Sequence, residues 1–423
     1  MPSGTALARR FAVLLGIIAI GFTGAVPAAA AAPTYARNEP AVAVATPSTV
    51  FLEARYVGYL RRTAGGALVH PEPVVVVRRC SGVVVNPDGY AVTTTVCVQP
   101  SREVLLVNAL YRLGRTLVQQ NELPAERLDT FVAGLRTSST FTGAKRGTTP
   151  TVRLTGQFGA ASSGDGAAPA VAGVVTKALP AVEGNVALVR LRRTGLPAIE
   201  LATAPDLRTG SAVDILGYAL DQTTGDSATY TPRNRTVEVI GRTGTNRTGV
   251  SGQIGPDSRG GPVVDAAGRL VALLDTDTSA DGEPIRDLIA TANIERLLDQ
   301  GGVDNRLSEI DLAFRSALNG YFAGRYSQAT ERFDDVLMQD PGHVAARAYR
   351  QRAEERLRLD GDATENAANW WLYLLSAAGG VLVIGAVSFL RRALGGRLQP
   401  ALSGGLRRLH RVRVAAVDPL EQG

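Results

Sequence analysis

The sequence predicts a mainly β ectodomain with inserted and appended helices, exported and then held at a membrane by one span. Three observations predict it. Two-residue periodicity runs through residues 48–100, helical periodicity takes over at 102–136 and 307–359, and two apolar uncharged segments lie near the chain ends. With 423 residues, 45% of them hydrophobic, the chain has room for two or three domains and is too apolar for a disordered protein.

Its two cysteines allow one bridge, which excludes a disulfide-rich scaffold and a four-cysteine zinc site. Only Lys145 and Lys177 are lysines among 45 basic residues, a usage that fits a GC-rich bacterial genome. Residues 1–32 carry +2 and residues 391–423 carry +5, so the formal +6 leaves −1 for residues 33–390. The positive charge therefore belongs to the ends, and no nucleic-acid partner is expected for the central region.

Arg9 and Arg10, the apolar run Phe11 to Ala25 and the small residues up to Ala32 have the three regions of a secretory signal peptide (1–32), with cleavage expected near Ala30. An uncleaved anchor is the alternative. Residues 370–390 contain no charge, and 21 residues at about 1.5 Å each span about 31 Å, the thickness of a hydrocarbon core. This segment is expected to be a transmembrane helix, with Trp370, Trp371 and Tyr373 at one interface and Arg391 and Arg392 at the other. The arginines that follow place the basic tail, 391–423, in the cytoplasm and residues 33–369 outside a plasma membrane. The tail reads as a topology anchor that also touches anionic lipid, or as a site for a cytoplasmic partner.

Within the outer part, Leu52, Ala54 and Tyr56 alternate with Glu53 and Arg55, the pattern of a half-buried strand. Residues 73–77, 80–85 and 90–97, with the turn Asn86 to Gly89, predict further strands and a hairpin that Cys80 and Cys97 would flank. In 102–136, Leu106, Leu110, Leu113 and Leu117 recur at helical spacing; after Pro124, Leu128, Phe131, Val132 and Leu135 do so again, predicting a helical hairpin. Residues 137–170 read as a loop around one strand, 151–154.

Four motifs in order resemble the trypsin-like serine proteases, including the HtrA-type branch. They are Cys80-Ser-Gly with the strand ending Thr93-Thr-Thr-Val-Cys97, then Gly184-Asn-Val-Ala-Leu-Val-Arg-Leu191, Val213 to Tyr218, and Asp257-Ser-Arg-Gly-Gly-Pro262 with its hairpin. The resemblance covers residues 45–300 and implies a double β-barrel, with the helical hairpin inserted just after the family's histidine position. It also implies a Cys80–Cys97 disulfide, worth about 3 kcal/mol for a loop of about 17 residues. The hairpin would cap the family's cleft or pack on the barrel's side.

The departures from the family decide the functional expectation. Val96 stands where the resemblance places the histidine, Asn185 where it places the aspartate, and Arg259 where it places the serine. A serine nucleophile needs a base, and the base needs an acid to orient it. Ser258 remains as a residual nucleophile, and His70, His343 and His410 are the histidines.

Residues 307–359 resemble a tetratricopeptide hairpin at Ala317, Gly324, Tyr326, Ala329, Phe333 and Pro341, followed by a capping helix from His343 to Leu359. One such repeat cannot bury its own face and must lean on another body, either as a spacer or as a partner-binding module. The expected function is a membrane-anchored pseudoprotease outside the membrane that binds or scaffolds a peptide or protein. The alternative is a tethered serine protease with a rearranged site built on Ser258. No cofactor or metal ligand set is expected.

Overall fold

The computed structural model describes residues 33–163, 170–203, 205, 207–224, 227–242, 248–278 and 284–363. The first eight strands are β1 (Thr49–Arg62), β2 (Val74–Asn86), β3 (Tyr90–Thr93), β4 (Ser139–Thr142), β5 (Thr151–Gln157), β6 (Ala161–Ser163), β7 (Val171–Leu179) and β8 (Val186–Leu191). The next six are β9 (Ala212–Thr224), β10 (Ser227–Arg242), β11 (Thr248–Val250), β12 (Pro262–Val264), β13 (Leu270–Thr278) and β14 (Pro284–Ala290). Antiparallel pairing runs β2-β3-β8-β7-β5-β1 and closes through β1 with β2, leaving β4 on the extended end of β1. A second ring runs β11-β14-β13-β12-β9-β10 and closes through β10 with β11, with β6 added to β10. Both are closed six-stranded barrels with the same strand order. Closure removes the free sheet edges that an open sheet would expose.

The valine-rich β2 shows why its sequence is a continuous apolar run. Alternate side chains of a strand face opposite ways, and here both ways are buried. Val84 packs in the first barrel's core with Val50, Leu52 and Leu191, while Val83 and Val85 join Ile199, Leu216, Leu270 and Leu273 in a separate core. Val213, Ile215, Val239 and Leu274 fill a further core on the strands of the second barrel.

Several expectations change. The strand expected to reach Cys97 stops at Thr93, and Thr95–Val98 turns as a single helical turn, α2, after the seven-residue α1 (Glu39–Ala45). Thr95 donates its amide to the Asn185 carbonyl and Cys97 donates its amide to the Thr94 carbonyl, so the chain leaves the ladder there. Glu53 is buried, not solvent-facing, because Arg79 reaches its carboxylate at 3.0 Å. Residues 137–170 hold β4, β5 and β6 where one strand was expected, as short Ser- and Thr-rich pieces give little periodicity to read.

The inserted hairpin is α3 (Arg102–Gln119) and α4 (Leu128–Arg136). Ser101 caps α3 by accepting the Val104 amide at 3.2 Å. Pro124 precedes a 3₁₀ turn at Ala125–Arg127 and so lies before the helical residues, not in the first turn of α4. Leu105, Leu106, Ala109, Leu110 and Leu113 from α3, with Val132 and Leu135 from α4, are buried in the first barrel's core cluster. The hairpin therefore packs on that barrel and adds to its core.

After β14 the chain forms α5 (Thr291–Gly301), α6 (Glu309–Phe322), α7 (Tyr326–Gln339) and α8 (Val344–Asp360). Phe314, Tyr326, Phe333 and Tyr349 pack between the last three, and Ala43 of α1 joins them. This unit leans on the strands: Arg315 pairs with Glu200 at 2.8 Å, Asp311 accepts the Ala198 amide, and Asn305 donates to the Val85 and Ile199 carbonyls. Among the described residues no helix is long and apolar enough to cross a membrane; segments 1–32 and 370–390 and the tail lie outside the described residues.

His343 caps α8 by accepting the Ala346 amide on Nδ1 at 3.0 Å, and its ring lies against Phe314. Burial lowers its pKa below the ordinary 6.5, although Asp340 and Asp311 pull the other way. The unfolded chain therefore takes up a proton that the folded chain resists. Its contribution to stability is present above about pH 6.5 and falls as the pH drops toward the lowered folded value. Thermal melts followed by circular dichroism should show the wild type losing stability over that window. His343→Asn, which keeps an acceptor at the cap, should show a flatter dependence.

Candidate active site

Val96, Asn185 and Arg259, which the resemblance sets at the family's triad positions, come together with a fourth residue that the sequence did not single out. Val96 sits half-buried on α2, next to Cys97. A disulfide joins Cys97 to Cys80 on β2, with Cα atoms 6.3 Å apart, and so fixes α2 against the barrel. Asn185 lies just before β8, buried, in the left-handed region at φ 53°, which asparagine tolerates better than most residues. Its Oδ1 accepts the Val96 amide at 3.1 Å, and its Nδ2 donates to Oδ2 of Asp275 at 2.9 Å.

Asp275 is the missed residue. It stands on β13, and its Oδ1 lies 3.7 Å from Nε of Arg259, with side-chain exposures of 8% and 11%. Asn185, Asp275 and Arg259 thus form one buried chain of amide, carboxylate and guanidinium that is neutral overall. An amide is required at 185, since it must accept from a backbone N–H and donate to a carboxylate, and a carboxylate has no proton to donate. The sequence did carry a signal: an acid directly follows the apolar run Leu270 to Leu274. A charge buried at the end of such a run calls for a partner, but the partner lies 16 residues away in the chain.

Ser258 closes a 3₁₀ turn at Pro256–Ser258 and is fully buried. Its hydroxyl donates to the Gly255 carbonyl at 2.5 Å and accepts the Gly255 amide at 3.3 Å. A peptide carbonyl takes no proton at neutral pH, so this contact activates nothing. His70 instead accepts the Glu72 amide in the loop before β2, and His343 is held in the helical unit. His410 lies outside the described residues.

The backbone around Ser258 is also committed. The Arg259 amide donates to the Pro256 carbonyl at 3.4 Å, Gly260 to Leu274 at 2.7 Å and Gly261 to Ser258 at 2.9 Å. The turn is fastened to the first barrel through Ser81, whose amide donates to the Arg259 carbonyl and whose hydroxyl donates to the Asp257 carbonyl. The same hydroxyl accepts the Tyr218 amide. Burial pushes Asp257 above the usual carboxylate range, and the positive charges of Arg79 and Arg78 offset part of the rise. Arg79 also lies over the Tyr230 ring, 5.6 Å from its centre. Among the described residues no group of histidines, cysteines and acids is arranged to hold a metal ion.

No curated protein matches the chain. A crystal structure of the serine endoprotease from Yersinia pestis aligns with it at 13% identity and a TM-score of 0.36, covering 64% of this chain and 67% of that one. Residues 80–273, from the bridged Cys80 through the β12–β13 hairpin, match the family model of the trypsin-like peptidase domain, and over that span the chain is similar to that family.

Proposed function

We propose that this chain is a membrane-anchored pseudoprotease that acts outside the membrane by binding or scaffolding a peptide or protein. The observation that carries the reading is the buried Asn185–Asp275–Arg259 network at the positions where the resembled family keeps its aspartate and serine. Acyl transfer needs a nucleophile, a base and donors for the developing oxyanion. Here a guanidinium tied to a carboxylate occupies the nucleophile's position and valine occupies the base's. The Arg259 amide, which would serve as an oxyanion donor, bonds within its own turn. Membrane anchoring and export rest on residues 370–390 and 1–32 and on the arginines that follow residue 390. The tetratricopeptide-like reading of the three-helix unit is supported by the small residues Ala317, Ala329, Ala346 and Ala353, which share its core with the aromatics Phe314, Tyr326, Phe333 and Tyr349.

A fluorophosphonate probe tests the reading on the purified full chain. No labelling is expected, either in wild type or in Ser258→Ala. Stoichiometric labelling of wild type that disappears in Ser258→Ala would establish instead a tethered serine protease with a rearranged site.

A further inference from the structure

We propose that a basic groove on the first barrel, away from the Arg259 network, binds an extended acidic peptide that carries apolar side chains. This deepens the binding role proposed above by giving it a place and a ligand class.

The groove is a cavity of about 1060 Å³ between the far end of β1, β4, the loop after β4, the ends of α3 and α4, and the strands β5 and β7. That volume lies just above the usual range for small-molecule sites, about 300–1,000 Å³. Arg61, Arg62, Arg102, Arg136 and Arg146 line it, against the single acid Glu103. Glu103 is already paired with Arg136 at 2.6 Å. Among the described residues, the other four guanidiniums form no ion pair. Arg61 and Arg146 donate to backbone carbonyls, and Arg62 donates to the Ser138 hydroxyl, which holds them in place without neutralising them. The groove therefore holds concentrated positive charge on a domain whose surrounding segment, residues 33–390, is slightly negative. Guanidinium forks match carboxylates with two parallel hydrogen bonds.

The rest of the lining favours a peptide over a bare anion. β5 pairs with β7 only from Leu154 to Gly156, opposite Val171 to Gly173. Beyond that point Thr151, Val152 and Arg153 pair with β1 alone, while Val174 and Val175 pair with β8. Past Leu154 and Gly173 the two strands no longer pair with each other, and Val152, Val174 and Val175 of these unpaired ends line the cavity. Val152 and Val174 flank it with 55% and 45% of their surface exposed, over a floor that includes Leu106, Phe141 and Leu154. An extended chain can add to such unpaired ends through its backbone, set apolar side chains on the valines and present acids to the arginines. A phosphate or a lipid headgroup would use the arginines and leave the unpaired ends and valines unused.

The test uses the full chain in detergent micelles and a fluorescein-labelled dodecapeptide alternating Glu with Val, read by anisotropy. Saturable binding is expected, weakened at least tenfold in Arg62→Glu/Arg146→Glu, and weakened several-fold in Val152→Ser/Val174→Ser. All four positions are exposed, so these variants should fold, and unchanged circular dichroism checks that they do. Equal binding of a Lys-for-Glu peptide, or an unchanged affinity in the arginine variant, would overturn the proposal. So would an unchanged affinity in Val152→Ser/Val174→Ser, which would identify an anion or lipid-headgroup site that uses the arginines alone. The outcome is separable from catalysis. Absent peptide binding with absent fluorophosphonate labelling sinks only the groove, and labelling with groove binding intact sinks only the pseudoprotease reading.

Discussion

Asp275→Ala is expected to cost about 3–5 kcal/mol of folding stability, the range for removing one partner of a buried ion pair. The substitution would leave the Arg259 guanidinium in a site where only 11% of its side chain meets solvent, and would strip the Asn185 amide of its acceptor. Arg259→Ala should cost a similar amount by leaving the carboxylate uncompensated. The diagnostic variant is the double replacement Arg259→Met/Asp275→Leu. Removing both charges together avoids an orphaned ion, and well-packed apolar substitutes for a buried pair are often neutral or stabilising. Part of that gain is offset by the Asn185 donor left without a partner, about 1–3 kcal/mol. The double variant should therefore be clearly more stable than either single one in guanidinium unfolding followed by circular dichroism. A loss under about 1 kcal/mol in Asp275→Ala would place the pair among solvent-screened surface contacts and remove its structural role.

Gly260→Val is expected to disrupt the same region by a different cause, and at comparable cost. Gly260 has φ +76°, and a Cβ built there would lie 2.2 Å from the Thr93 hydroxyl and 2.6 Å from the Ser81 carbonyl. Neither can yield easily. Thr93 donates that hydroxyl to the Ser81 carbonyl, and the Ser81 amide holds the Arg259 carbonyl. The left-handed backbone alone costs an L residue about 1–2 kcal/mol, and the steric conflict adds to it. Gly302 supplies the control: its φ is +63°, but nothing lies within 4 Å of its Cβ position. Gly302→Ala should lose only the backbone term, whereas Gly260→Ala should lose distinctly more, and Gly260→Val should drive the turn out of its seat. Equal losses in the two alanine variants would show that the turn at Gly260 is not clamped between the barrels.

The fate of particular residues shows how far the sequence was readable. The strands around Tyr56 and Val84 were legible because a barrel imposes period two or an apolar run on each of them, whereas those around Leu188 and Ile215 were expected only from the family resemblance. The helices were legible from Leu106, Leu110 and Leu113, which one face of α3 buries. β4 and β6 were not, since four and three residues are too few to establish a period. Alternation sets Glu53 on the face opposite Leu52 and Ala54, and cannot report that a guanidinium from the next strand covers that side. Asp275 was missed for a related reason: an acid at the end of an apolar strand becomes meaningful only when its partner is known.

The sequence by itself supplied part of the candidate site: Val96, Asn185 and Arg259 in three of the four ordered motifs, and the two cysteines. Those are local facts, carried by side-chain identity and by spacing along the chain. Only the tertiary structure decided that Arg259 turns inward onto Asp275, that Ser258 bonds a backbone carbonyl, and that the arginines of β1, α3, α4 and the loop after β4 converge on one groove. Convergence of that kind depends on barrel closure, which brings together residues tens of positions apart, and no periodicity along a single strand encodes it.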